Sequence, residues 1–134
     1  MEKQKKTSEP SFYINFKKVC ANNIDSNISL LNFLRHNYKL TGTKEGCSEG
    51  DCGACSVLIF EEKGMLVPIN SCILKVGQIL DKNIITIEGA SDLNSAKPLI
   101  KALNSKAASQ CGFCTPGFVM AALALKGKQK TPTE

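Results

Sequence analysis

Three cysteines fall within nine residues in KEGCSEGDCGACSVLIF, Lys44 to Phe60, and no other feature restricts the fold of this chain as tightly. Cys47, Cys52 and Cys55 make C-x4-C-x2-C, and a fourth, Cys72, follows seventeen residues on in NSCI. Thiolates are soft ligands, and four of them hold either zinc or an iron–sulfur cluster. The spacing is that of a plant-type [2Fe–2S] site, distinct from the C-x2-C pairs of zinc ribbons. A loop that wraps two irons must turn tightly and bring backbone N–H groups up to the sulfurs. Gly46, Gly50, Gly53 and Ala54 supply the room for that. Such N–H···S hydrogen bonds, with limited solvent, set the reduction potential. Loss of one ligand, such as Cys52, is expected to abolish the site and unfold the loop, because small metal domains couple binding to folding. A zinc site on the same four thiols is the competing reading.

The rest of the composition fits a metal site better than a disulfide framework. Seven cysteines are an odd number, and they are crowded at ligand spacings rather than spread as staples. That usage points to a reducing, cytoplasmic setting. Met1 to Pro10, MEKQKKTSEP, is charged and has no apolar core like that of a signal peptide; it reads as a disordered tail. The longest unbroken apolar run, Phe118 to Leu125, is eight residues, too short to span a bilayer. The net charge of +5 gathers at the ends, in Lys3, Lys5, Lys6, Lys126, Lys128 and Lys130. Without a basic face interleaved with aromatics, those are solvated tails and no nucleic acid is implied. TGTKEG resembles a phosphate loop but lacks the closing Gly-Lys-Ser/Thr.

Periodicity divides the chain in two. Phe12, Ile14 and Phe16 alternate with Tyr13 and Asn15, which predicts a strand with one buried face, and a return strand over Val19 to Ile24 makes a hairpin. Ser29 caps a short helix carrying Leu30, Leu31, Phe33 and Leu34 and running to about His36. Thr41 to Gly53 is a loop by composition. Ser56 to Phe60 and Met65 to Ile69 read as paired strands, and Ile84 to Ile87 as a last short one. From Ser91 the pattern turns helical: Leu99, Ile100 and Leu103 within Ser95 to Ala108, then a second helix from Pro116 to Lys126. The fold class is therefore α+β, β-rich to about Gly89 and helical beyond, with no internal repeat.

A second pair, Cys111 and Cys114 in QCGFCTPG, admits two readings. A C-x-x-C at a helix N-terminus can be a redox dithiol of lowered pKa, but no βαβ unit surrounds this one. The other reading is two ligands of a second metal site, on the turn between two helices.

Taken together, the two motifs make the sequence resemble the iron–sulfur part of the molybdenum hydroxylases, the xanthine dehydrogenases and aldehyde oxidases. The matching segments are LLNFLR (Leu30 to Arg35), TGTKEGCSEGDCGACSV (Thr41 to Val57), NSCI, TIEG (Thr86 to Gly89) and QCGFCTPGFVM (Gln110 to Met120). The form GDCGACSV, with its longer insertion before VPINSC, is most similar to the small subunit of bacterial xanthine dehydrogenases. The resemblance implies a ferredoxin-like β-grasp domain over residues 11–90, after a tail over residues 1–10. It holds one [2Fe–2S] cluster on Cys47, Cys52, Cys55 and Cys72. It implies an incomplete helical bundle over residues 91–134 that brings Cys111 and Cys114 as half of a second cluster, with Gln110 near the molybdopterin. No residue here is catalytic in that picture. Electrons pass one at a time between a molybdenum site and FAD, both carried by partner domains or subunits.

Three departures from the family pattern set further expectations. The chain reaches Glu134 before any Cys-Arg-Cys segment, so it reads as truncated within the helical part. Phe118, Val119, Leu123 and Leu125 are then expected to lack packing partners. The family's His-Pro-x-Gln stretch reads Lys97-Pro98-Leu99-Ile100, and Cys20 has no family role and reads as a half-buried free thiol. The alternative function is a stand-alone ferredoxin-like carrier with a single cluster.

Overall fold

The computed structural model describes residues 9–128. The expected tail therefore lies, up to residue 8, outside the described residues, as do Lys3, Lys5, Lys6 and Lys130 of the terminal-charge argument. A five-stranded mixed sheet is built from β1 (Ser11–Ile14), β2 (Lys17–Cys20), β3 (Ser56–Phe60), β4 (Leu66–Asn70) and β5 (Asn83–Ile85), in the order β2-β1-β5-β3-β4. Only β1 and β5 run parallel, with Tyr13 opposite Asn83 and Ile14 opposite Ile84. A short helix α1 (Leu30–Asn32) continues as a π-turn over Phe33–Asn37. Helices α2 (Ile87–Ser91), α3 (Lys97–Ser105) and α4 (Thr115–Lys128) follow the last strand.

Both faces of the sheet are covered, and the strands show why. Val57 and Ile84 point to one side with Phe12, Ile14 and Val19, where Leu30, Phe33 and Leu34 close the core. Leu58 and Ile85 point to the other, where Val119, Met120, Leu123 and Ala124 of α4 lie with Ala90 and Ala96. A strand buried on both sides reads as a continuous apolar run rather than an alternation, which is what Val57-Leu58-Ile59 is, Phe60 at its end being exposed. Val119 and Leu123, expected without partners, are thus 2% and 3% exposed, because α4 lies on β3 and β4. Phe118 and Leu125, on its outer side, are 58% and 47% exposed.

Two local expectations are corrected. Phe16 does not extend β1: Asn15 and Phe16 take φ of 51° and 67° and form the turn of the β1–β2 hairpin. A two-residue hairpin loop needs positive φ at both positions, which Asn tolerates and Phe rarely adopts. Phe16 is 55% exposed, its ring edge-on to Phe60 at 5.7 Å. Ile87 does not end the last strand but opens α2. The N–H of Thr86 that would continue the ladder donates instead to Asn15 Oδ1 at 2.9 Å, and Asn15 Nδ2 donates to Thr86 Oγ1 at 3.0 Å. The expected cap at Ser29 is present, its Oγ accepting from Asn32 N–H at 3.2 Å.

Candidate metal centre

The loop from Gly42 to Ala54 is fastened to the sheet at its entry, tip and exit. At the entry Arg35 Nη1 donates to the carbonyls of Thr41 (2.9 Å) and Thr43 (2.8 Å), and Glu88 Oε1 accepts from Gly42 N–H at 2.7 Å. At the tip Asn70 Nδ2 donates to the Gly50 carbonyl at 2.7 Å. At the exit the fully buried Ser71 donates to the Cys55 carbonyl twice, from Oγ at 2.7 Å and from N–H at 3.3 Å. Left-handed backbone at Ser48, Gly50 and Gly53 folds the chain back on itself between these points.

That folding aims peptide N–H groups inward. Cys47 Sγ accepts from the N–H of Asp51 (3.2 Å), Cys52 (3.3 Å) and Glu49 (3.4 Å), and Cys52 Sγ accepts from Cys47 N–H at 3.4 Å. The Cys52 N–H, followed by those of Glu49 and Asp51, holds the Cys47 thiol down to about 7 from its ordinary 9.0. Cys72 moves the other way, to about 11: burial disfavours its thiolate, and a hydrogen bond with Cys55 and the charges of Cys55 and Cys47 add to that. The four thiols of the spacing argument are thus brought near one another, Cys47 beside Cys52 and Cys72 beside Cys55, with Cys47 close enough for its charge to act on Cys72. Among the described residues, no three His, Cys, Asp or Glu side chains converge on one metal-sized point. Cys55 is 2% exposed, and Cys72 opens on a groove of about 350 Å³ lined in part by Asn32, Glu45, Ser48 and Lys75.

Gly46 is the tightest point of the loop. A methyl group there would lie 2.6 Å from Cys52 Sγ, so the sulfur occupies space that only glycine leaves open. Cys111, Cys114 and Gln110 lie together, all exposed, on the segment before α4. Gly112 there has φ of 81°, and the hydroxyls of Ser109 and Thr115 meet at 2.7 Å across the turn. No other potential ligand is gathered around this second pair among the described residues. Cys20 is exposed rather than half-buried, at the end of an edge strand. The sequence reading assigned nothing to Arg35, Asn70 or Ser71; the polar pair directly before Cys72 was the available signal for the last two.

Known proteins share this chain's sequence and fold. The [2Fe-2S] binding domain family matches residues 86–134. The chain is 42% identical over 124 residues to a xanthine dehydrogenase of Blastobotrys adeninivorans, covering 89% of this chain and 9% of that protein. It is 37% identical over 128 residues to aldehyde oxidase 1 of Rattus norvegicus, covering 91% and 10% respectively. It thus spans about a tenth of the length of the curated relatives it matches. Among solved structures, a chain of quinoline 2-oxidoreductase from Pseudomonas putida 86 superposes with a TM-score of 0.73 at 32% identity, over 94% of this chain and 74% of that one. On those identities and that superposition, this chain belongs to the iron–sulfur part of the xanthine dehydrogenase and aldehyde oxidase family of oxidoreductases.

Proposed function

We propose that the chain holds a [2Fe–2S] cluster on Cys47, Cys52, Cys55 and Cys72 and supplies Cys111 and Cys114 as half the ligands of a second. The observation that carries this is the loop geometry, which turns three peptide N–H groups onto Cys47 Sγ and one onto Cys52 Sγ and ties the loop through Asn70 and Ser71 to the segment that brings Cys72 beside Cys55. A two-iron cluster takes two thiolates per iron, whereas zinc gathers four around one point. The donor set fits such a cluster: three N–H groups on Cys47 Sγ offset thiolate charge, and the glycine at residue 46 leaves the Cys52 sulfur free to face inward. Bound there, the cluster supplies a store for a single electron. The chain's own residues fix the sulfurs, donate hydrogen bonds to them and keep water from the Cys55 side.

The fold that does this is a ferredoxin-like β-grasp over residues 11–90, joined through α2 to part of a helical bundle over residues 91–134. In a xanthine dehydrogenase-like molybdenum hydroxylase of the cytoplasm, the chain carries electrons between a molybdenum cofactor site and FAD, each on a partner domain or subunit. Gln110, beside Cys111, then lies on the molybdopterin side. No helix among the described residues is long and apolar enough to cross a membrane.

Iron, acid-labile sulfide and zinc per chain, measured on protein purified without air, test the reading. Two irons and two sulfides are expected on the isolated chain, with a further two when a partner completes the second site. Zinc in place of iron would overturn it.

A further inference from the structure

We propose that the second cysteine segment clamps the first cysteine loop, with Phe113 and Gly117 as positioning residues for Cys52; this rests on the ligand assignment just given. Gly117, in the first turn of α4, is buried against the loop backbone between Cys52 and Cys55. A methyl group on it would overlap the Gly53 carbonyl oxygen and lie 3.2 Å from the Gly53 carbonyl carbon and 3.3 Å from Ala54 Cα. The helix therefore touches the loop backbone to backbone, with no side chain between. The same Gly53 carbonyl already accepts from the Ser56 hydroxyl at 2.7 Å and its N–H at 3.1 Å, so it is held from both sides.

Phe113 provides a second contact, at Gly46. Its ring edge and Cys52 Sγ approach the same point at Gly46, the ring at 3.7 Å and the sulfur at 2.6 Å from where a methyl group would stand. Phe113 is 46% exposed, so the ring is no part of the core and its removal opens no internal cavity. An aromatic residue left half in water with its edge on a sulfur-bearing loop limits how far that loop can open. Two contacts, either side of Cys52, come from the segment that carries Cys111 and Cys114. The order of one cysteine motif thus depends on the other, though they lie about sixty residues apart in sequence.

The test uses the full 134-residue chain with Phe113→Ala, Phe113→Leu and Gly117→Ala. In the metal-free protein, backbone amides of residues 46–54 are expected to exchange about tenfold faster in Phe113→Ala than in wild type, with most of the protection restored by Phe113→Leu. In the loaded protein, Phe113→Ala is expected to keep its iron stoichiometry, to release iron to a chelator about tenfold faster, and to show a shifted cluster potential. Unchanged exchange of residues 46–54 in Phe113→Ala overturns the clamp, as does an unchanged release rate and potential. Gly117→Ala is expected to loosen the same amides further, and if it fails to fold the Phe113 pair still decides. Should wild type bind no iron, the ligand assignment falls, and the exchange comparison alone decides the clamp.

Discussion

Gly46→Ala isolates the steric demand of the candidate centre from the stability of the fold. The added methyl would stand 2.6 Å from Cys52 Sγ and 3.6 Å from Ala54 Cβ. Non-bonded heavy atoms settle at about 3.5–4 Å, so the sulfur has to retreat by roughly 1 Å. Gly46 is not in left-handed backbone, so alanine adds no strain of its own. Cys52 is exposed, and in the metal-free chain its side chain can swing outward at little cost. A ligand held to a metal tolerates only about 0.2 Å of misplacement. The substitution is therefore expected to leave the metal-free unfolding midpoint nearly unchanged while weakening iron retention about 10- to 100-fold. Gly64→Ala is the control: Gly64 has φ of 75° and nothing within 4 Å, so alanine there is expected to cost about 1 kcal/mol of stability without affecting iron. The assay is anaerobic reconstitution, followed by iron and sulfide counts and the decay of visible absorbance under a chelator. If Gly46→Ala loads and holds iron as wild type does, the inward position of the Cys52 sulfur is not the one the cluster uses.

Met120, fully buried between α4 and the sheet, gives a second prediction: Met120→Ala is expected to lower unfolding free energy by about 2–5 kcal/mol in urea titration, and a loss under about 1 would mean α4 is not fixed on that face. Asn15→Ala removes both bonds to the fully buried Thr86 and leaves alanine at φ of 51°; a loss of about 2–4 kcal/mol is expected in the same titration, with Asn15→Asp recovering part of it through the Thr86 N–H. For pH, the folded Cys47 thiol lies below its unfolded value, so its contribution is full above pH 9, falls as pH drops and is lost through pH 7. The stability difference between metal-free wild type and Cys47→Ser is accordingly expected to grow from pH 7 to 9, and a flat difference would remove the N–H donors as its cause.

The cysteine loop was legible because ligand spacing is a local property, written in a few adjacent residues and confirmed by the glycines between them. The strand at Ser56 to Phe60 was legible for the same reason, and its partner, read as Met65 to Ile69, lies one residue later at Leu66 to Asn70, each being an apolar run bounded by turn residues. What escaped was whatever depends on a distant partner. Phe16 continues the alternation of Phe12 and Ile14, yet the turn begins at Asn15 because Thr86, seventy-one positions away, takes up the asparagine side chain. Ile87 follows the apolar pair Ile84 and Ile85 after Thr86, yet that same bond stops the strand at Ile85. Val119 and Leu123 carry a pattern that calls for a partner without naming it, and the sheet's second face turned out to be the partner. Gly117 and Phe113 sat inside a recognised motif, where their contacts with the first loop leave no mark in the sequence.

Those distant contacts change what the thiols are needed for. From sequence, the loop between Gly46 and Cys55 had only its cysteines to hold it, so removing one ligand was expected to unfold it. In the structure Asn70 and Ser71 each hold a backbone group of that loop, Arg35 and Glu88 hold the chain just ahead of it at Thr41 to Thr43, and Gly117 packs on Gly53, all without a thiol. Each neutral hydrogen bond contributes about 1 kcal/mol and those made by charged groups more, enough together to offset much of the entropy of ordering a short segment. The loop is therefore shaped by the fold, and in the proposed assignment a metal would meet sulfurs already held near one another. Such preorganisation keeps the geometry of a redox centre nearly the same with and without an extra electron. It also places the weak point at Cys52, the one exposed thiol of the four, which neither Asn70 nor Ser71 reaches and which the segment around Cys111 and Cys114 flanks instead.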